Sequence, residues 1–240
     1  MSRRRKKRDL PGLAALCALI TLWICAIMLP KAAQDQSAVS VRETRPTLIL
    51  DPGHGGMDGG ASAQDGTYES RINLEIALRT RDLCRLLGVP VTMTREKEDL
   101  DYPEKLTTVA GRKRWDTRDR VERIDRVENG ILLSVHQNYY PSAGPCGAQV
   151  FYAGDDISRS LAELIQLSLQ TKLMPENRRG AEPVSRNVYI MNHVRCPAVL
   201  VECGFLSNPR EAALLQEEGY QIRIAAVLSG SFLRFTEGMI

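Results

Sequence analysis

After a basic tip, the chain runs through residues 10–30 (LPGLAALCALITLWICAIMLP) without a charge and with no polar face. At about 1.5 Å per residue, a helix of that length spans roughly 30 Å, one hydrocarbon core. The absence of a polar stripe predicts a transmembrane helix rather than a buried core helix. The stretch is longer than a secretory h-region, and Lys31 stands before Ala32-Ala33 where cleavage wants a small residue, so an uncleaved signal anchor is expected. Residues 31–45 are polar and read as a tether.

From 46 onward, short apolar runs alternate with amphipathic stretches. Residues 46–51 (PTLILD) read as a strand stopped by Pro-Gly-His-Gly-Gly. Residues 69–87 carry apolar positions at helical spacing and end at Gly88. A second strand is expected over 89–94, parallel to the first if the helix is a crossover. Residues 96–115, with Pro103 and Gly111, read as an irregular excursion, and 116–129 as a charged helix closed by Gly130. Strands follow at 131–136 and 147–152, a helix at 158–173, and a polar loop through 186. A fifth strand at 196–202 and helices at 209–216 and 220–235 complete the pattern. Such alternation predicts an α/β fold: an open, twisted, mostly parallel sheet with helices on both faces, preceded by the transmembrane helix.

Composition sharpens this picture. With 240 residues, 43% hydrophobic and 25% charged, the chain has the make-up of a globular protein, which excludes wholesale disorder. The net charge of +3 is misleading: residues 3–9 hold six basic side chains and one acidic, +5, which leaves −2 for the rest. A near-neutral domain has no electrostatic footprint for nucleic acid. Six basic residues before the span predict an N-terminus inside and a membrane-anchored domain outside the cytoplasm, or a secreted one if the segment is cleaved. They also suit anionic headgroups. The organisation expected is a tip (1–9), an anchor (10–30), a tether (31–45) and one catalytic domain (46–240). Cys17 and Cys25 lie in the span; Cys84, Cys146, Cys196 and Cys203 lack the paired spacing of a thiolate zinc site, though one bridge is open to them.

The candidate chemistry sits at strand ends. His54 follows the first strand by three residues, His136 ends the third, and Glu202 ends the fifth. In an open α/β sheet the carboxyl ends of strands form the ligand crevice, and Glu69, opening a helix, can reach the same edge. Two imidazoles and a carboxylate form a hydrolytic zinc set, with a second carboxylate as general base. Asp51, Asp58, Glu69, Glu75 and Glu202 all remain open as the metal carboxylate on spacing alone. Asp51 has the alternative of pinning the glycine-rich turn, and His193 reads as a loop residue. GHGGMDGGA has neither the GxGxxG form nor a GK[ST] grip, so it is read as a tight turn rather than a phosphate loop.

TLILDPGHGGMDGG (47–60), Glu69-Ser70, Asn73-Leu74, Thr94-Arg95, SVHQN (134–138) and VECGFLSN (201–208) occur in this order. Together they resemble the zinc-dependent N-acetylmuramoyl-L-alanine amidases of the third amidase family, over about 46–236. The resemblance implies one zinc ion on His54, Glu69 and His136, and Glu202 as catalytic carboxylate. The implied reaction is hydrolysis of the amide between the lactyl group of N-acetylmuramic acid and the L-alanine of the peptidoglycan stem peptide. It further implies that Asn138 hydrogen-bonds substrate or holds the loop and that Arg120 binds substrate, with a structural role open for Arg120 and Asn129. Within the family, the single N-terminal span, the lack of wall-binding repeats and the segment RKRWDTRDRVERIDRVEN resemble the spore-cortex, germination-associated members, whose action leads to muramic-δ-lactam. Gln137 and Tyr139-Tyr140 are larger than many relatives carry, which bears on substrate preference. Two other readings stand beside this: a peptidoglycan-binding protein without turnover, and another envelope zinc hydrolase, a peptidase or deacetylase. An activating or tethering protein partner would leave no trace in the sequence.

Overall fold

The computed structural model describes residues 45–238; the expected tip, anchor and nearly all of the tether lie outside the described residues. Among the described residues, no helix is long and apolar enough to cross a membrane. Six strands, β1 (Thr47–Pro52), β2 (Val91–Met93), β3 (Gly130–Asn138), β4 (Gln149–Tyr152), β5 (Glu182–Pro183) and β6 (Ala198–Phe205), form one sheet in the order β2-β1-β3-β6-β4-β5. The helices are α1 (Glu69–Leu86), α2 (Val109–Asp125), α3 (Asp156–Lys172), α4 (Tyr189–His193), α5 (Pro209–Gln216) and α6 (Glu218–Glu237).

The joints among β2, β1, β3 and β6 are parallel, as is β4–β5, but β4 runs antiparallel to β6, so the sheet is mixed. The reversal brings the start of β4 beside the end of β6: Gln149 pairs with Glu202.

Strand parity decides what each face does, because successive side chains point to opposite sides. Leu48, Leu50, Ile131, Leu133, Val135, Val199 and Val201 enter the larger core, packed with Ile72 and Ile76 of α1, Leu161 and Ile165 of α3, Leu215 of α5 and Ile224 and Phe232 of α6. Ile49, Leu132, Ala198 and Leu200 enter a smaller core with Ile124 of α2 and Met191 of α4. Helices therefore cover both faces. Each fully buried aliphatic side chain contributes on the order of 1.5–3 kcal/mol. On the smaller face the apolar alternation ends at the carboxyl edge, where the same parity carries Asp51, Ser134, His136 and Glu202.

Several elements differ from the sequence expectation. The helix expected over 116–129 begins at Val109 and ends at Asp125, since the Thr108 hydroxyl accepts from the Gly111 amide as a cap, a term of about 1 kcal/mol. Gly111 is thus a first-turn residue rather than a breaker. β3 continues two residues past His136, and the loop through 186 contains the two-residue β5. Beyond that loop, residues 189–193 form α4, with His193 exposed and bonded to the Tyr189 carbonyl at 2.7 Å. Among the described residues, Cys84, Cys146, Cys196 and Cys203 are all free thiols.

Candidate metal centre

The turn after β1 carries His54 in the left-handed region, at φ 60°. A non-glycine residue there costs on the order of 1–2 kcal/mol, so surrounding bonds must hold it. Two buried arginines do so. Arg120 donates to the carbonyls of Pro52 (3.1 Å) and His54, while Asp51 and Asp116 neutralise it at 3.2 and 2.7 Å. Arg95 donates to the carbonyls of Pro52 (3.0 Å), Gly53 (3.0 Å) and Ser70 (2.8 Å), tying the turn to the start of α1. Asp51 is fully buried and also accepts from the hydroxyls of Thr94 (2.6 Å) and Ser134 (2.8 Å). Burial opposes its charge, but Arg120 and these hydroxyls hold it below the usual carboxylate range.

Glu69 opens α1 and is buried at 3% exposure. Its Oε1 lies 3.3 Å from His54 Nε2 and 2.9 Å from His136 Nδ1, and accepts from the Gln137 amide at 3.1 Å; its Oε2 accepts from the Ala61 amide at 2.9 Å. Asn73, one turn along α1, donates to both Glu69 Oε1 (3.2 Å) and the Gly53 carbonyl (3.1 Å). One donor atom each from His54, Glu69 and His136 falls within 4.8 Å of the others. A tetrahedral zinc roughly 2.1 Å from each donor would set them roughly 3.4 Å apart. The donor chemistry and the existing convergence therefore fit a zinc ion. Two glycines make this approach feasible: a Cβ on Gly53 would overlap the His136 ring, and one on Gly60 would lie 2.5 Å from Glu69 Oε2 and 2.8 Å from His54 Cδ2.

His54 donates from Nδ1 to Asp58 Oδ2 at 3.0 Å, and Lys113 reaches the same oxygen at 2.8 Å. Burial disfavours the imidazolium, yet hydrogen bonds to Asp58 and Glu69 push His54 up to about 9. Asp58 and Glu69 are correspondingly held below the ordinary carboxylate range, against burial, by their histidine partners.

Glu202 is the Cα partner of His136 across the β3–β6 joint. Its Oε2 is buried and has no hydrogen-bond partner among the described residues. Burial, aided by Glu69 and opposed by the two histidines, pushes it up to about 7. A cavity of about 270 Å³ lies on this face, lined by His54, Asp58, Arg120 and His136 and by Tyr189 and Ile190 of α4.

The remaining candidates fall elsewhere. Asp51 braces the turn from below. Glu75 lies further along α1, bonded to Arg71 and Gln221 at 3.1 and 2.8 Å. Arg120 touches the cavity but shares its donors between the Pro52 and His54 carbonyls and the carboxylates of Asp51 and Asp116. Asn138 sits at the bulge where β3 meets Phe205 and accepts from the Tyr139 amide through its side chain. Asn129 adopts φ 50° in the turn before β3. Gln137 is buried against Asn73, whereas Tyr139 and Tyr140 are exposed. The sequence assigned no role to Arg95, Asn73 or Lys113; the signal for the first two was that Asn73-Leu74 and Thr94-Arg95 belong to the ordered motif set.

A family model described as N-acetylmuramoyl-L-alanine amidase matches residues 48–231. The germination-specific N-acetylmuramoyl-L-alanine amidase of Bacillus subtilis strain 168 is 39% identical over 192 residues, covering 79% of this chain and 80% of that protein. Among solved structures, the CwlD amidase of Clostridioides difficile, in complex with the GerS lipoprotein, superposes with a TM-score of 0.77 at 35% identity, over 80% of this chain and 99% of that one. The amidase AmiC2 of Nostoc punctiforme, at 24% identity and a TM-score of 0.67 over 80% of this chain and 97% of that one, shares the fold.

Proposed function

This chain belongs to the N-acetylmuramoyl-L-alanine amidase family, and from that premise we propose that it cleaves peptidoglycan with one zinc ion held by His54, Glu69 and His136 and with Glu202 as the proton-transferring carboxylate. The bond broken is the amide between the lactyl group of N-acetylmuramic acid and L-alanine. When bound, zinc supplies Lewis acidity that polarises the amide carbonyl and makes water a competent nucleophile at neutral pH.

The chain's own residues do the rest. Asp58 fixes the His54 tautomer by accepting from Nδ1, which leaves Nε2 facing Glu69. Glu69 is kept ionised by its two histidines. Glu202, raised to about 7, takes the proton of the attacking water and delivers it to the alanine nitrogen as that amine leaves. The observation that carries this reading is the unpartnered Glu202 Oε2 on the strand position paired with His136. A carboxylate oxygen buried without a hydrogen bond is costly, and such atoms concentrate where function requires them. Arg120, with donors on the Pro52 and His54 carbonyls, acts by positioning the turn, and Asn138, two residues beyond His136 at the end of β3, is assigned to substrate.

The setting follows from the same premise. Similarity to the germination-specific relative supports action on spore cortex, on the way to muramic-δ-lactam. Residues 10–30 would anchor the domain outside the cytoplasm, and the relative solved with a lipoprotein supports a protein partner for this chain as well. The test is to incubate the full chain with cortex and vegetative peptidoglycan, with chelator and with zinc restored, and to read products by mass spectrometry. Stem peptides with free L-alanine amino termini, lost with chelator and regained with zinc, are expected. Release of acetate, or cleavage within the peptide, would overturn the assignment.

A further inference from the structure

A cavity of about 640 Å³ lies beside the entry to β4 and the start of α5, lined among others by Arg178, Arg179 and Arg210 and by the carboxylates Glu176 and Glu211. Glu211 spends one oxygen on the Gly147 amide and the other on the Phe205 amide, both at 2.8 Å, and Glu176 is exposed. None of the three arginines forms an ion pair among the described residues; Arg178 donates only to the carbonyls of Pro175 and Asn177. The cavity therefore holds an excess of positive charge.

Arg179 is the arginine fixed in place. It is half-buried, with Nε donating to the Cys146 carbonyl and Nη1 to Gln149 Oε1, both at 2.9 Å, and its guanidinium lies 4.7 Å from the centre of the Phe205 ring. These bonds leave Nη2 and one hydrogen of Nη1 without a protein partner among the described residues, a pair of donors suited to a carboxylate. Gln149, which carries the guanidinium, is the Cα partner of Glu202, and Glu202 of His136. The three stand in one row on the same face. With strands about 5 Å apart, Gln149 lies about 5 Å from the Glu202 position, and the Arg179 guanidinium, bonded to the end of the Gln149 side chain, stands roughly a side-chain length further out, about 10 Å in all. An extended peptide advances about 3.5 Å per residue, so that distance is two to three residues.

We infer that Arg179 is a substrate-binding residue: its guanidinium receives a carboxylate carried by the stem peptide, two to three residues beyond the scissile amide. The inference rests on the amidase reading and adds a subsite to it. A pre-positioned guanidinium recognises an acid and gains little from its neutral amide, so the site discriminates between stem peptides whose carboxylates are free and those whose carboxylates are amidated.

The test uses the zinc-loaded full chain and two muramoyl-L-alanyl peptides that differ only in whether the second-residue carboxylate is free or a carboxamide. The wild-type chain should favour the acid at least tenfold in kcat/KM. Arg179→Gln should raise KM for the acid at least tenfold, with kcat within threefold, lower kcat/KM for the amide less than threefold, and so erase the preference; Arg179→Lys should keep part of it. Equal loss on both substrates would mean a structural role, and no loss on either would mean no role; both overturn the inference while leaving the amidase reading intact. Failure of the wild-type chain to cleave either peptide would overturn the amidase reading and the subsite with it. A readout independent of any variant is inhibition of the wild-type chain by the released L-alanyl peptide: the acid should inhibit at least tenfold more tightly than the amide, and equal inhibition overturns the subsite.

Discussion

Glu202 and His136 occupy paired positions on adjacent parallel strands, so the carboxylate assigned to proton transfer and an imidazole assigned to the metal are fixed to one another by sheet register. A one-residue slip would turn either side chain to the opposite face of the sheet. The register is pinned by Leu133↔Val199 and Val135↔Val201, fully buried pairs in the larger core.

That pairing makes Glu202→Gln the sharpest test of mechanism. The amide keeps shape and volume, so zinc content should stay at one equivalent while kcat falls by about 10²–10⁴, the range of general acid–base catalysis. In the wild-type chain the base form is the carboxylate, so turnover falls as pH drops through its pKa. Burial sets that value at about 7 without metal, against an ordinary 4.5. A bound cation favours the carboxylate, so the acid limb of kcat/KM should lie below about 7. A pH profile that lacks this limb, or a variant at full rate, would remove Glu202 from the mechanism.

Asp58→Asn tests the orientation of His54. Losing the carboxylate behind a metal histidine typically weakens metal affinity by about 10–100-fold. Zinc competition titrations should show that loss with kcat at saturating zinc reduced far less. Unchanged zinc affinity would make Asp58 a partner of Lys113 only.

Much of this site was legible before the fold was known, and the reason is local. The runs at 48–50, 131–133 and 198–201 are uninterrupted and apolar, so the strands they mark, and hence His54, His136 and Glu202 at or beyond their ends, could be placed on one edge. The role of Asp58 was not legible, because its bond to His54 spans a turn whose left-handed residue has no sequence marker. Arg95 was not legible either, and for Arg120 the resemblance left binding and structural roles both open: a charged side chain is expected at the surface, and the carbonyls of residues 52–54, with Asp51 and Asp116 on Arg120, explain two buried ones. The antiparallel β4 depends on the path of the chain between β3 and β6, which no local pattern encodes. β5, two residues including a proline, carries no periodicity at all.

Gly53→Ala should be severe despite adding one methyl group. The new Cβ would overlap the His136 ring, and β3 cannot yield without losing its register. Overpacking of this kind costs about 1–3 kcal/mol, and here the imidazole is what moves. Loss of bound zinc with only a moderate fall in Tm of the metal-free protein is the expected result. A variant that binds zinc normally would show that the ring has room the structure does not reveal.

Asp51→Asn separates the scaffold beneath the turn from the chemistry above it. Asp51 contacts none of the three assigned metal ligands through its side chain, yet it neutralises Arg120, which holds the His54 carbonyl. Removing one partner of a buried ion pair leaves the other uncompensated, a loss of about 3–5 kcal/mol; the second carboxylate, Asp116, remains on Arg120 and puts the effect near the lower figure. The pH dependence has a defined sign. The folded-state pKa of Asp51 lies below the ordinary 3.8, so its contribution is fully present above 3.8 and is lost as pH falls below 3.8 toward the lowered value. Urea unfolding of the metal-free protein across that window should therefore show the variant less stable at neutral pH and converging on the wild-type chain as acid is added. A constant difference at every pH would mean that the variant acts by packing alone, and that the charge on Asp51 does not hold the turn.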